Sequence, residues 1–169
     1  MRKYLVILFA AAFISTAGAQ TAIKLGHINS QELIEAMPES DSAQKKIEKL
    51  TKDLQSQLET MQVELNNKYQ DYLSKRDTYS DLIKQTKENE LQELNQRIQT
   101  FSQNAEQDLQ KQRSGLYKPI LDKANKAIAD VSKENGFTYI FDLAGGLIIY
   151  HAENSTDILP LVKAKLGLK

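Results

Sequence analysis

Residues 40–119 read SDSAQKKIEKLTKDLQSQLETMQVELNNKYQDYLSKRDTYSDLIKQTKENELQELNQRIQTFSQNAEQDLQKQRSGLYKP, and the spacing of their apolar positions decides the fold. In the first half these positions are Ile47, Leu50, Leu54, Leu58, Met61, Leu65, Tyr69 and Tyr72. The steps of three, four and four place them on one narrow stripe of a helix. The pattern closes every eleven residues, about 3.67 per turn, which predicts an arm that is nearly straight or weakly right-handed. In the second half the stripe is Leu91, Leu94, Ile98, Phe101, Ala105, Leu109 and Leu116. Two mirrored stripes on either side of Tyr79-Ser80 predict a long antiparallel helical hairpin folded at that pair.

With the fold there, facing residues have numbers that sum to 159, which pairs Leu50 with Leu109, Leu54 with Ala105, Leu58 with Phe101, Met61 with Ile98, Leu65 with Leu94 and Ala43 with Leu116. Sliding one arm by a turn would oppose Leu50 to Arg113 and Met61 to Ser102, a poorer match. The arms then have equal length between Pro38 and Pro119. Each reaches about 57 Å at 1.5 Å per residue, too far for the rest of the chain to cover. The hairpin, residues 40–118, is predicted to stand out in solvent.

The flanking segments read as a small body, 20–39 and 119–169. Ala22 to Ile28 alternates with period two and predicts a strand with Ile23 and Leu25 facing inward. Asn29 precedes Glu32 by three, a capping arrangement for a short helix that ends at Met37-Pro38. Pro119 predicts a kink at the base of the returning arm. Beyond it the stripe Ile120, Ala124, Ala127, Ile128 and Val131 continues to a stop at Asn135-Gly136. Phe137–Asp142 and Leu147–Tyr150, joined by Leu143-Ala144-Gly145-Gly146, predict a β-hairpin. Thr156 or Asp157 then caps a last helix, with Pro160 in its first turn and Ile158, Leu161, Val162 and Leu166 on one face. The fold class is α+β and mostly α. Three strands with bare edges are not stable alone, so the sheets of several protomers are expected to join.

At the N-terminus, Arg2 and Lys3, the apolar run Leu5–Ile14 and Ala17-Gly18-Ala19 form the pattern of a secretory signal peptide over residues 1–19, cleaved after Ala19. The run is about half the length a membrane span needs. Of 169 residues none is cysteine, which excludes disulfides and thiolate metal sites. Removing Arg2 and Lys3 leaves 20 basic residues against 22 acidic, a formal charge of −2. Nothing in that balance suggests nucleic-acid binding, and membrane contact is at most peripheral.

The mature chain resembles the Skp/OmpH family of periplasmic chaperones. The likeness rests on Lys24 to Leu33 with Ala36-Met37-Pro38-Glu39, on Pro119 to Asp122 and Glu134-Asn135-Gly136 followed by Tyr139 to Asp142 and Gly145-Gly146, and on the closing helix at Asp157-Ile158. The resemblance implies a homotrimer whose strands build a central β-barrel, with Ile23, Leu25, Ile28, Tyr139, Phe141, Leu147 and Ile149 in that body. Three arms would hang from it around a cavity that holds unfolded outer-membrane proteins. Members of the family are often strongly basic and this chain is not, which weakens the expectation of lipopolysaccharide binding. Prefoldin also joins coiled hairpins to a strand base, but a signal peptide argues against it.

No catalytic, cofactor or metal site is expected, and the chain is not read as an enzyme. No Ser/His/Asp order, metalloprotease motif, phosphate loop or dinucleotide fingerprint occurs. His27 and His151, the only two histidines, lie near strand ends and read as edge or surface residues. The client-binding candidates are Met61 and the tip cluster Tyr69, Tyr72, Leu73, Tyr79, Leu82 and Ile83. Tyrosine offers apolar area with a wet end, though these side chains could equally serve only to close the turn. The reading is an ATP-independent holdase for unfolded β-barrel proteins, with outer-membrane assembly machinery as a further partner. A non-catalytic envelope scaffold and an activator of an envelope enzyme are the alternatives.

Overall fold

The computed structural model describes residues 23–168; the signal peptide expected at 1–19 lies outside the described residues. Strand β1, Leu25–Ile28, leads into helix α1, Ser30–Glu35. The Asn29 side chain accepts the Glu32 N–H at 3.2 Å and so caps α1 as predicted. Met37 is extended and Pro38 opens α2, Pro38–Lys75, since the residue before a proline avoids the helical region while proline suits a first helical position. A 3₁₀ turn, Arg76–Thr78, and then Tyr79-Ser80 lead to α3, Asp81–Glu134. Ser80 caps α3 by accepting the Ile83 N–H. The long hairpin therefore folds where the two stripes meet.

The seam follows the predicted register at its centre. Met61, Leu94 and Ile98 are buried, with Leu58, Leu65 and Phe101 packed around them. Leu50, Leu54, Ala105 and Leu109 are half-buried, as a seam between only two helices allows. Pro119 sits inside α3 without ending it. It forfeits one backbone bond, to the Gly115 carbonyl; both residues are exposed, so water can take that place. The continued helix buries Ile120, Ala124, Ala127 and Val131 in the body and stops at Asn135-Gly136, with Gly136 at φ 67°.

The sheet departs from expectation. Strands β2, Tyr139–Asp142, and β3, Thr156–Asp157, lie on either side of β1, and both run parallel to it. Leu147–Tyr150 forms no strand, and the expected β-hairpin is absent among the described residues. The topology gives the reason. With β1 between two strands that share its direction, residues 143–155 must carry the chain back across the sheet. The Gly146 N–H closes a turn onto the Leu143 carbonyl at 3.3 Å, with Gly146 at φ 64°. The chain then crosses the sheet face, where Ile148, Tyr150 and His151 share a hollow with Leu25, His27 and Phe141.

The inward face of β1 is also the opposite of the one predicted. Ile23 and Leu25 are exposed, while Gly26 and Ile28 are buried. A Cβ at Gly26 would lie 2.8 Å from Phe137 Cε1 and 3.0 Å from Ile140 Cδ1, so the inward position must lack a side chain. Helix α4, Leu159–Lys165, turns Val162 to the core, with Ile158 before it and Leu166 after it on the same face as expected, but Leu159 joins them in place of Leu161, which is exposed. Asp157 contributes to its start by accepting the Leu159 N–H at 2.8 Å. The body core is Ile28, Leu33, Met37, Ala43, the end of α3, Ile158, Leu159 and Val162.

Candidate functional site

The candidate client-binding residues separate into two groups. Met61 is buried in the hairpin seam and Tyr72 is 6% exposed between the arms. The Tyr72 hydroxyl donates to the Glu88 carboxylate on the opposite helix, and that bond pushes the phenol's pKa up. The Tyr72 and Tyr79 rings stack with centroids 6.5 Å apart, and Tyr79 is half-buried. Tyr72 and Tyr79 thus close the turn. Tyr69, Leu73, Leu82 and Ile83 remain exposed. Tyr69 lies on the apolar stripe of α2 yet is 48% exposed, between the buried Met61, Leu94 and Ile98 cluster and the buried Tyr72. An open groove of about 840 Å³ lies there, with Leu65, Tyr69, Leu73 and Leu91 among its walls.

Charge at the tip is balanced locally. Lys75 pairs with Asp71, Lys84 with Asp81 at 3.7 Å, and Lys87 with Glu90 at 2.9 Å. The bonds to Asp71 and Glu90 hold the Lys75 and Lys87 ammonium groups above their usual pKa. These are exposed pairs, each worth little alone, but together they leave no field of one sign.

The body presents its own surface. Tyr139 and Phe141 on β2 are exposed, as are Leu147, Ile149 and Tyr150 beyond it, and Ile149 is 99% exposed. Ile28 lies instead in the core of the single chain. His27 and His151 stack with ring centroids 4.5 Å apart, and His27 Nδ1 lies 2.8 Å from Ser155 Oγ. This contact ties the crossing segment to β1 and corrects the reading of His27 as an edge residue, since it is 9% exposed. No spacing rule could have signalled a pair 124 residues apart. A second bracket missed in the sequence joins Asp142 to Ser30, whose N–H and hydroxyl donate to it at 3.0 and 2.5 Å.

A two-helix arm inserted between neighbouring parallel strands of a small sheet defines the class: a hairpin-and-body protein, with its exposed apolar groups at the arm tip and on the sheet. The sequence model described as "Outer membrane protein (OmpH-like)" matches residues 24–166, and the chain belongs to that family. It is similar to the chaperone protein Skp of Pectobacterium atrosepticum, 23% identical over 150 residues that cover 88% of this chain and 91% of the relative. Skp of Photorhabdus luminescens is 25% identical over 134 residues, covering 79% and 81%. A solved OmpH-like structure from Caulobacter crescentus superposes with a TM-score of 0.73 at 14% identity, covering 85% of this chain and 83% of that one, a likeness of fold. Among the described residues, no helix is long and apolar enough to cross a membrane.

Proposed function

We propose that the chain is an ATP-independent periplasmic holdase that assembles as a homotrimer through its body and keeps unfolded outer-membrane β-barrel proteins from aggregating between its arms. The observation that carries this reading is the sheet. Its edge strand β2 holds Tyr139 and Phe141 in solvent, and the segment beyond it holds Leu147, Ile149 and Tyr150 there, a surface that one protomer leaves uncovered. Leu147–Tyr150 has a strand's composition yet among the described residues pairs with no strand of its own protomer, and the outer edges of β2 and β3 are unpaired; a neighbouring protomer would supply partners for both. Membership of the OmpH-like family and the Skp relatives support the chaperone role, and the N-terminal signal pattern supports export. Clients held here would pass to outer-membrane assembly machinery.

The test combines native mass with light scattering of a denatured β-barrel protein diluted into buffer. The expected result is a trimer at about micromolar concentration that suppresses scattering, and a Phe141→Asp or Ile149→Asp variant that loses both properties. A well-folded wild-type monomer would overturn the assembly. A trimer that leaves scattering unchanged would favour the scaffold or enzyme-activator alternatives.

A further inference from the structure

The groove near the arm tip has a lining that selects for one kind of occupant. Its apolar part comes from Leu65, Tyr69 and Leu73 on α2 and Leu91 on α3. Flanking these are four carboxamides, two from each helix: Gln62 and Asn66 on one side, Gln92 and Asn95 on the other. The charged residues in the lining are Arg76 and Glu88, which cancel, and Glu88 already accepts the Tyr72 hydroxyl. A neutral lining offers no attraction to nucleic acid, phosphate or an anionic lipid surface. A carboxamide both donates and accepts, which matches the alternating N–H and C=O groups of an unpaired backbone. Its volume of about 840 Å³ is within the range of binding clefts.

From this complementarity we infer that the groove is a binding subsite for a neutral, extended polypeptide segment with alternating apolar side chains. Apolar side chains of one face enter between Tyr69, Leu73 and Leu91, and the backbone meets the carboxamides. The two helices of a single arm form the subsite, so it needs neither the other arms nor an enclosed cavity. This inference rests on the holdase reading for its biological use but not for its measurement.

The probe is a blocked, fluorescent eight-residue peptide alternating Tyr or Leu with Ser or Asn, carrying a photo-reactive benzophenone, added to the full mature protein. Its binding is followed by anisotropy, and its crosslinks are mapped by mass spectrometry. Crosslinks are expected within 62–76 and 88–95. The paired substitution Tyr69→Ser with Leu73→Ser, both at exposed positions, should weaken binding about fivefold or more, whereas Val63→Ser, exposed on α2 outside the groove, should change it less than about twofold. Methylating alternate backbone nitrogens of the peptide should weaken binding about threefold or more through the loss of donors. Unchanged affinity in the paired variant, crosslinks mapping elsewhere, or full affinity for the methylated peptide together with displacement by a neutral detergent would overturn the subsite. Client aggregation measured on the same samples separates the two ideas. Peptide bound at the groove without client holding removes the holdase reading alone. Client holding with no groove-dependent peptide binding removes the subsite alone.

Discussion

Gly26 leaves no room for a side chain in the body's packing. Phe137 and Ile140 close over it, and Gly26→Ala would drive a methyl into both side chains. We expect a loss of about 1–3 kcal/mol in urea unfolding, the usual cost of overpacking; an unchanged midpoint would show that Phe137 yields freely. Asp142 offers a pH test. Burial pushes its carboxyl up, but the Ser30 hydroxyl and the N–H groups of Ala144 and Ser30 outweigh that and hold its pKa below the ordinary value. A depressed folded pKa means that the stabilisation is complete above the unfolded value of about 3.9 and is lost as pH falls through the folded one. Stability should therefore decline below about pH 4, and less steeply in Ser30→Ala, where the folded and unfolded values converge. Equal acid slopes in the two proteins would show that the bracket contributes nothing.

At the scale of elements, the arm was legible and the sheet only partly so. Periodicity over some eighty residues leaves little choice of register, and the contacts of Met61 with Leu94 and Ile98 follow from it. Leu58→Ala is expected to weaken the hairpin by about 1–3 kcal/mol, less than a deep-core truncation, because the seam is half open. Cysteines at 58 and 101 should crosslink readily and those at 58 and 105 poorly; the reverse would displace the turn from Tyr79-Ser80. In the body, composition misleads in identifiable ways. The inward position of β1 is a glycine, so reading the face from Ile23 and Leu25 selects the wrong side. Leu147–Tyr150 has the residues of a strand, but the chain must return past β1 to place β3 on its other side, a path set by the sheet order that local sequence does not encode. Tyr69 keeps its place on the stripe yet is exposed and lines an open groove with residues of both arms. The tip groove is lined from both arms and is therefore not legible in either arm's sequence alone.

For the whole molecule, balanced charge has a measurable outcome. With Lys75, Lys84 and Lys87 each paired to an acid, no field remains to attract an anionic chain, and screening limits exposed charges to about 8 Å at physiological ionic strength. On the proposed holdase reading, holding by apolar contact multiplied by several arms around one chain should persist as salt rises to about 0.5 M. Light scattering against salt measures this, with Phe141→Asp, aimed at the proposed assembly surface, alongside. A loss of about tenfold or more over that range would assign capture to the basic tip residues instead.

Because β1 and β2 are parallel neighbours, everything from α1 to the end of α3 is a crossover between adjacent strands. Leu25 pairs with Tyr139, and the chain between them, left loose, would be an entropic obstacle to that pairing. Zippering of the hairpin from Tyr79-Ser80 towards Pro38 shortens the gap one helical turn at a time and delivers the second strand beside the first. The order of folding is then from the extremity inward, with the sheet last. Destabilising substitutions near the tip should slow refolding, while those confined to the sheet should chiefly hasten unfolding.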